Sequence, residues 1–263
     1  MTGIPHGAID PMLLTQPAGK PRYAAVVRFM LNYLLQVAAV LMLSWLSPGL
    51  ALALFLLMSA WHFGGDWRQR LAGHARLLAG LAVVLAPLLF HPEQTTALFV
   101  LIAGDAGQAI ASVGYWLAMP ACFGLAAFAL LPKPGRPNDR LDWAMLILLA
   151  WLAPPLIYFA VYFCALHSLR HLLDAKHHSP GRHRLWWWVS GLGLSLATLI
   201  GAWCLASYLS DAADSQRWLQ TIFIGLSALT VPHMALMEQV HQRWKRQTQV
   251  GRGRALEKTR GYF

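Results

Sequence analysis

Apolar residues in this chain come in long runs, and short polar joints divide the runs. Residues 1–22 show little apolar periodicity and hold Pro5, Pro11, Pro17 and Pro21. Eight apolar segments follow, at roughly 23–46, 48–63, 76–91, 95–112, 113–131, 142–172, 185–209 and 217–238. A helix needs about 20 residues, within a range of about 17–25, to cross the hydrocarbon of a bilayer. The first, sixth, seventh and eighth segments meet that length. The second to fourth are short, and are expected to tilt or to thin the bilayer locally. The joint between the fourth and fifth falls near Ser112 and Gly114. The pattern predicts an all-α, polytopic transmembrane helical bundle. It forms one integral-membrane domain over residues 1–263, with a basic C-terminal tail at 239–263.

Eight crossings would put the N-terminus, the loops 64–75 and 173–184 and the C-terminal tail on one face. The turns near 47, 92, 132–141 and 210–216 would lie on the other. Of 21 Lys and Arg, only Lys133, Arg136, Arg140 and Arg217 fall on that second face. Basic residues collect on the cytoplasmic side of membrane proteins, so the first face is expected to be cytoplasmic and the membrane the cell inner membrane.

Composition agrees. The chain is 57% hydrophobic and 12% charged, with a mean hydropathy of +0.47. Soluble domains carry about 25% charged residues. Twelve Trp and seven Tyr suit the belts at the two interfaces. The net charge of +10 resides in loops and tail, where it reads as a topology signal; no nucleic-acid partner is expected. Cys122, Cys164 and Cys204 lie in apolar runs without paired spacing, which predicts packing and neither disulfides nor zinc. The polar, Pro-containing start predicts no signal peptide.

The same topology sorts the 11 histidines. His167 and His171 are four apart, so on an α-helix they share one face and can reach one metal ion. His6 lies before the first segment, and His62 and His233 lie near the ends of the second and eighth, all at the same face. Ionisable side chains at membrane depth are costly and usually functional. His91 belongs to the opposite face, and His74, His177, His178, His183 and His241 read as solvated loop or tail residues. Several neutral imidazoles at one depth suit a first-row metal such as iron, copper or zinc. A closed structural zinc site favours Cys or mixed ligands in small folds, so a catalytic metal with open positions is expected. Asp10, Asp66 and Glu238 are spaced four or five residues from a histidine. Each is a candidate to orient an imidazole, or else an ordinary interfacial carboxylate. Asp105, inside the fourth segment, marks either a buried polar contact or an irregular helix.

Four motifs then carry a resemblance. They are GIPHGAID at 3–10, WHFGGDW at 61–67, APPLIYFAVYFCALHSLRH at 153–171 and LQTIFIGLSALTVPHM at 219–234. In sequence and order they resemble the Brp/Blh family, bacteriorhodopsin-related membrane proteins that act as β-carotene 15,15'-dioxygenases. The resemblance implies an Fe(II) enzyme that splits β-carotene at its central double bond with O2, giving two retinal molecules. It implies His6, His62, His167 and His171 as iron ligands, with His233 beside the iron or on the substrate path. Asp10 and Glu238 take the same outer position. Membrane lipid is the route of entry for substrate, and an opsin is a possible receiver of retinal. Phe63, Tyr162, Phe163 and Trp61 are candidates to line a tunnel. The family usually carries a hydrophobic segment before the PHGA motif, so either a truncated start or a missing first span is expected here. Competing readings are a membrane di-iron hydroxylase or desaturase, which would want more histidine boxes, and a non-enzymatic carotenoid- or retinal-binding assembly factor. A transporter is disfavoured because the chain shows no internal repeat.

Overall fold

The computed structural model describes residues 23–67, 71, 73–130, 137–168, 170, 200, 207, 218–239 and 242. The expectations for His6, Asp10, His171, the segment 185–209 and the tail beyond Gln239 lie outside the described residues, Ile200, Ser207 and Gln242 excepted. All described elements are helical: α1 is Tyr23–Leu46, α2 Pro48–Gly64, α3 Gly73–Phe90, α4 Pro92–Ala103 and α5 Asp105–Leu130. Then come α6 at Pro137–Leu152, α7 at Pro155–Val161, and α8 at Trp218–Gln239. A 3-10 turn, Gly65–Trp67, extends α2, and a π turn, Tyr162–His167, extends α7.

Proline sets several starts. Pro48, Pro92 and Pro155 each stand in a first helical turn, where the missing N–H costs nothing and the fixed φ is already helical. Gly104, at φ +58°, makes the reversal between α4 and α5, a conformation other residues rarely adopt. Among the described residues, five helices are long and apolar enough to cross a membrane: α1, α2, α3, α5 and α8. Leu31, Leu35, Met42, Trp45, Trp116 and Phe123 stand exposed on α1 and α5. So much apolar surface fits a lipid solvent.

The order of contacts fixes the helix directions. Gly64 lies against the Arg76 carbonyl and Gly80 against the Ala60 carbonyl, so α2 and α3 are antiparallel. Gly114 faces Leu88 and Leu85, whereas Ala121 and Leu125 join the cluster of Ala79 and Ala82, so α5 also opposes α3. The intervening α4 has 12 residues, or about 18 Å at 1.5 Å per residue, and is too short to cross. This corrects the segment boundaries: the expected joint near Ser112 and Gly114 lies inside α5, and the true break is at Gly104. Asp105 is exposed at that break, which settles its reading as a mark of irregularity.

The sixth expected segment is also broken. Ala153 and Pro154 divide it, and Pro154 cannot continue α6. Trp143 packs on Trp67, Ala150 on Ala86, and the Tyr158 hydroxyl donates to the Val83 carbonyl at 2.9 Å. The chain therefore descends through α6, turns partway along α3, and climbs back through α7 to the end where α2 finishes. Asp142, beside the turn expected on the opposite face, instead accepts a bond from Arg170 at this end. Finally α8 runs from Gln220, which donates to the Leu101 carbonyl, to His233 beside His62.

Gly80 allows the α2 and α3 backbones to touch between Ala60 and Gly64, at the level of His62 along α2. Gly80→Ala would place a methyl carbon against the Ala60 carbonyl, and overpacking costs about 1–3 kcal/mol. A lower unfolding temperature in detergent is expected; an unchanged one would show that the crossing is looser than drawn.

Candidate metal centre

Three histidines from three elements meet at one end of the bundle. His62 comes from the last turn of α2, His167 from the end of the π turn and His233 from α8. The His62 and His167 Nε2 atoms face each other at 3.1 Å. The His233 ring stands edge-on to His62, with centroids 5.4 Å apart. His167 is wholly buried and His233 is 7% exposed.

Asp66 governs the pair. Its side chain is 1% exposed, and its two oxygens lie 2.9 and 3.0 Å from His167 Nδ1. An ionised carboxylate only accepts hydrogen bonds, so Nδ1 carries the proton and Nε2 presents its lone pair toward His62. The Tyr162 hydroxyl donates to Asp66 Oδ2 at 2.7 Å. A buried carboxylate is costly unless bonded, and these two donors supply that bonding.

The π turn makes this possible. Five residues along an α-helix turn about 500°, which leaves side chains i and i+5 about 140° apart. The wider i→i+5 turn closes that gap. Tyr162 and His167 accordingly stack at 6.2 Å and 27°, and both reach Asp66. Phe63 presses edge-on against both rings. Beneath them Trp67 stacks on Trp143 at 4.1 Å, and the Arg170 guanidinium lies over Trp67.

The expected residues can now be placed. His62, His167 and His233 converge, and the structure puts His233 within the cluster. Glu238 is exposed and accepts a bond from Gln242. The carboxylate that meets a cluster imidazole is Asp66, and that imidazole is on another segment 101 residues away. His91 is at the far end and His74 is exposed, as expected. Phe63 and Tyr162 are buried beside the histidines, whereas Trp61 is 51% exposed under the Arg76 guanidinium and faces outward. Tyr162 went unnoticed as a hydrogen-bond donor, because only the π turn brings it to Asp66.

No group of three or more metal-binding side chains within reach of one ion is found among the described residues. The donor chemistry nevertheless fits a metal. Two nitrogens about 2.1 Å from one ion, in neighbouring positions, stand about 3.0–3.4 Å apart, which spans the observed separation. A carboxylate on the other nitrogen is the usual support of a ligand histidine.

Fold and site together define a polytopic helical membrane protein with a buried, carboxylate-supported histidine cluster at one end of the bundle. A family model for β-carotene 15,15'-dioxygenase matches residues 1–241. A β-carotene 15,15'-dioxygenase from the uncultured marine bacterium 66A03 is 31% identical over 249 residues, covering 90% of this chain and 89% of that protein. The chain belongs to the β-carotene 15,15'-dioxygenase family. No solved structure matches it.

Proposed function

We propose that this chain is an iron(II) dioxygenase that cleaves β-carotene at its central 15,15' double bond with O2, giving two molecules of retinal. The observation that carries the reading is the facing Nε2 pair of His62 and His167, set by Asp66, in a chain of this family. His62 and His167 would hold the iron, together with His6 and His171. Bound there, iron(II) supplies the electron exchange with O2 that a closed-shell polyene lacks.

The chain's own residues do the rest. Asp66 keeps the proton on His167 Nδ1 and so keeps Nε2 a donor to metal. Phe63, Tyr162 and Trp67 exclude water from the floor of the site. The apolar helix faces admit the polyene from the lipid. One β-carotene and one O2 give two retinal molecules, so the reaction balances without a reductant. Retinal leaves into the same bilayer, where an opsin can receive it.

The histidine end is assigned to the cytoplasmic face of the inner membrane. The end of α5 and the start of α6 lie at the histidine end, and Arg140 stands in that first part of α6, so the basic residues favour this end more strongly than eight simple crossings implied. Anaerobic purification in detergent, with iron quantitation and a retinal assay, tests the reading. Iron equal to protein and two retinal per β-carotene are expected. Twice that iron would indicate the di-iron rival, and bound carotenoid without iron or turnover a binding protein.

A further inference from the structure

At the far end of the bundle a partly open cleft separates α2 from α8. Ala51, Leu52 and Phe55 line one wall, and Phe223 and Ser227 the other. Ser44, on the rim, already gives its proton to the Val40 carbonyl at 2.9 Å, which leaves the cleft apolar in character. Ser44 of α1 and Ile102 of α4 complete the lining, and most of it comes from α2 and α8, the helices that carry His62 and His233. Its position along them is informative. At 1.5 Å per residue, Phe55 and Leu52 lie about 10 and 15 Å from His62, and Ser227 and Phe223 about 9 and 15 Å from His233.

A carotenoid's end ring lies at a similar distance from its central bond. Nine conjugated bonds separate the centre from the ring, and bonds of about 1.4 Å in zigzag advance about 1.2 Å each, so the ring begins about 11 Å away and ends near 15 Å. We infer that this cleft binds one terminal ring of the polyene, and that Ala51, Leu52, Phe55 and Ser227 determine which ring is accepted. The inference rests on the reading of the site as a central-cleavage centre. The cleft then acts as a length gauge: a ring seated there puts the central bond, and no other, beside His62 and His167.

Filling the cleft tests this. Ala51→Phe and Ser227→Leu come from different helices, so a folding defect in one leaves the other to decide. Each is assayed on β-carotene and on a one-ringed apocarotenal shortened at the other end, whose ringless half still fits a filled cleft. The expected result is a fall of about tenfold or more in kcat/KM for β-carotene relative to the shorter substrate. The β-carotene that is still cleaved should yield some products cut away from the centre. If both variants treat the two substrates alike, the cleft is not the ring site. A wild-type protein that cleaves neither overturns the functional reading itself.

Discussion

His167→Ala is expected to abolish retinal formation and iron retention together. The side chain is wholly buried, its Nδ1 is held by Asp66, and its Nε2 meets His62 at 3.1 Å. Alanine removes a metal donor and strips the Asp66 carboxylate of one of its donors in a buried setting. His62→Ala and His171→Ala should behave alike. His91→Ala, at the far end, and His178→Ala and His241→Ala should keep both iron and turnover. Iron content and retinal yield are measured on the same purified samples. Near-wild-type turnover of His167→Ala at normal iron content would remove the centre as described.

Asp66→Asn should weaken iron binding by about 10- to 100-fold, the usual cost of losing the group behind a ligand histidine. The amide removes the negative charge that makes His167 a stronger donor. It also offers one oxygen where two donors, the His167 N–H and the Tyr162 O–H, now converge. Tyr162→Phe keeps the carboxylate and its charge and removes only one of the two donors to it, so its effect should be smaller. Anaerobic iron titration of the three proteins gives the ranking wild type, then Tyr162→Phe, then Asp66→Asn. Wild-type affinity in Asp66→Asn would make the carboxylate a packing group only.

The helical class and the meeting of His62, His167 and His233 were legible because both follow from long apolar runs with histidines at corresponding ends. Two boundaries were not. Gly114 looks like a joint, yet it sits in mid-helix, where a Cβ would meet the Leu88 side chain; its smallness serves packing. The sixth run has no charged residue from Trp143 to Leu166, so hydropathy alone passes over the Pro154–Pro155 break. One segment that does not cross and one that folds back compensate each other, and His167 returns to the expected end. The Asp66 pairing was illegible for a different reason. It joins residues 101 apart in sequence, and no local pattern encodes a contact of that kind.

The π turn also has a meaning in terms of chain length. An α-helix would bring Tyr162 onto one face with the residue four positions later, whereas here the partner is five positions later. The segment Tyr162–His167 therefore holds one residue more than the same alignment needs, and Ala165 lies exposed on its outer side. Phase is conserved across the surplus: Ser168 and Arg170 follow His167 as they would in a helix one residue shorter. The extra residue is absorbed on the exposed side, and Tyr162 and His167 stay together on the face toward Asp66.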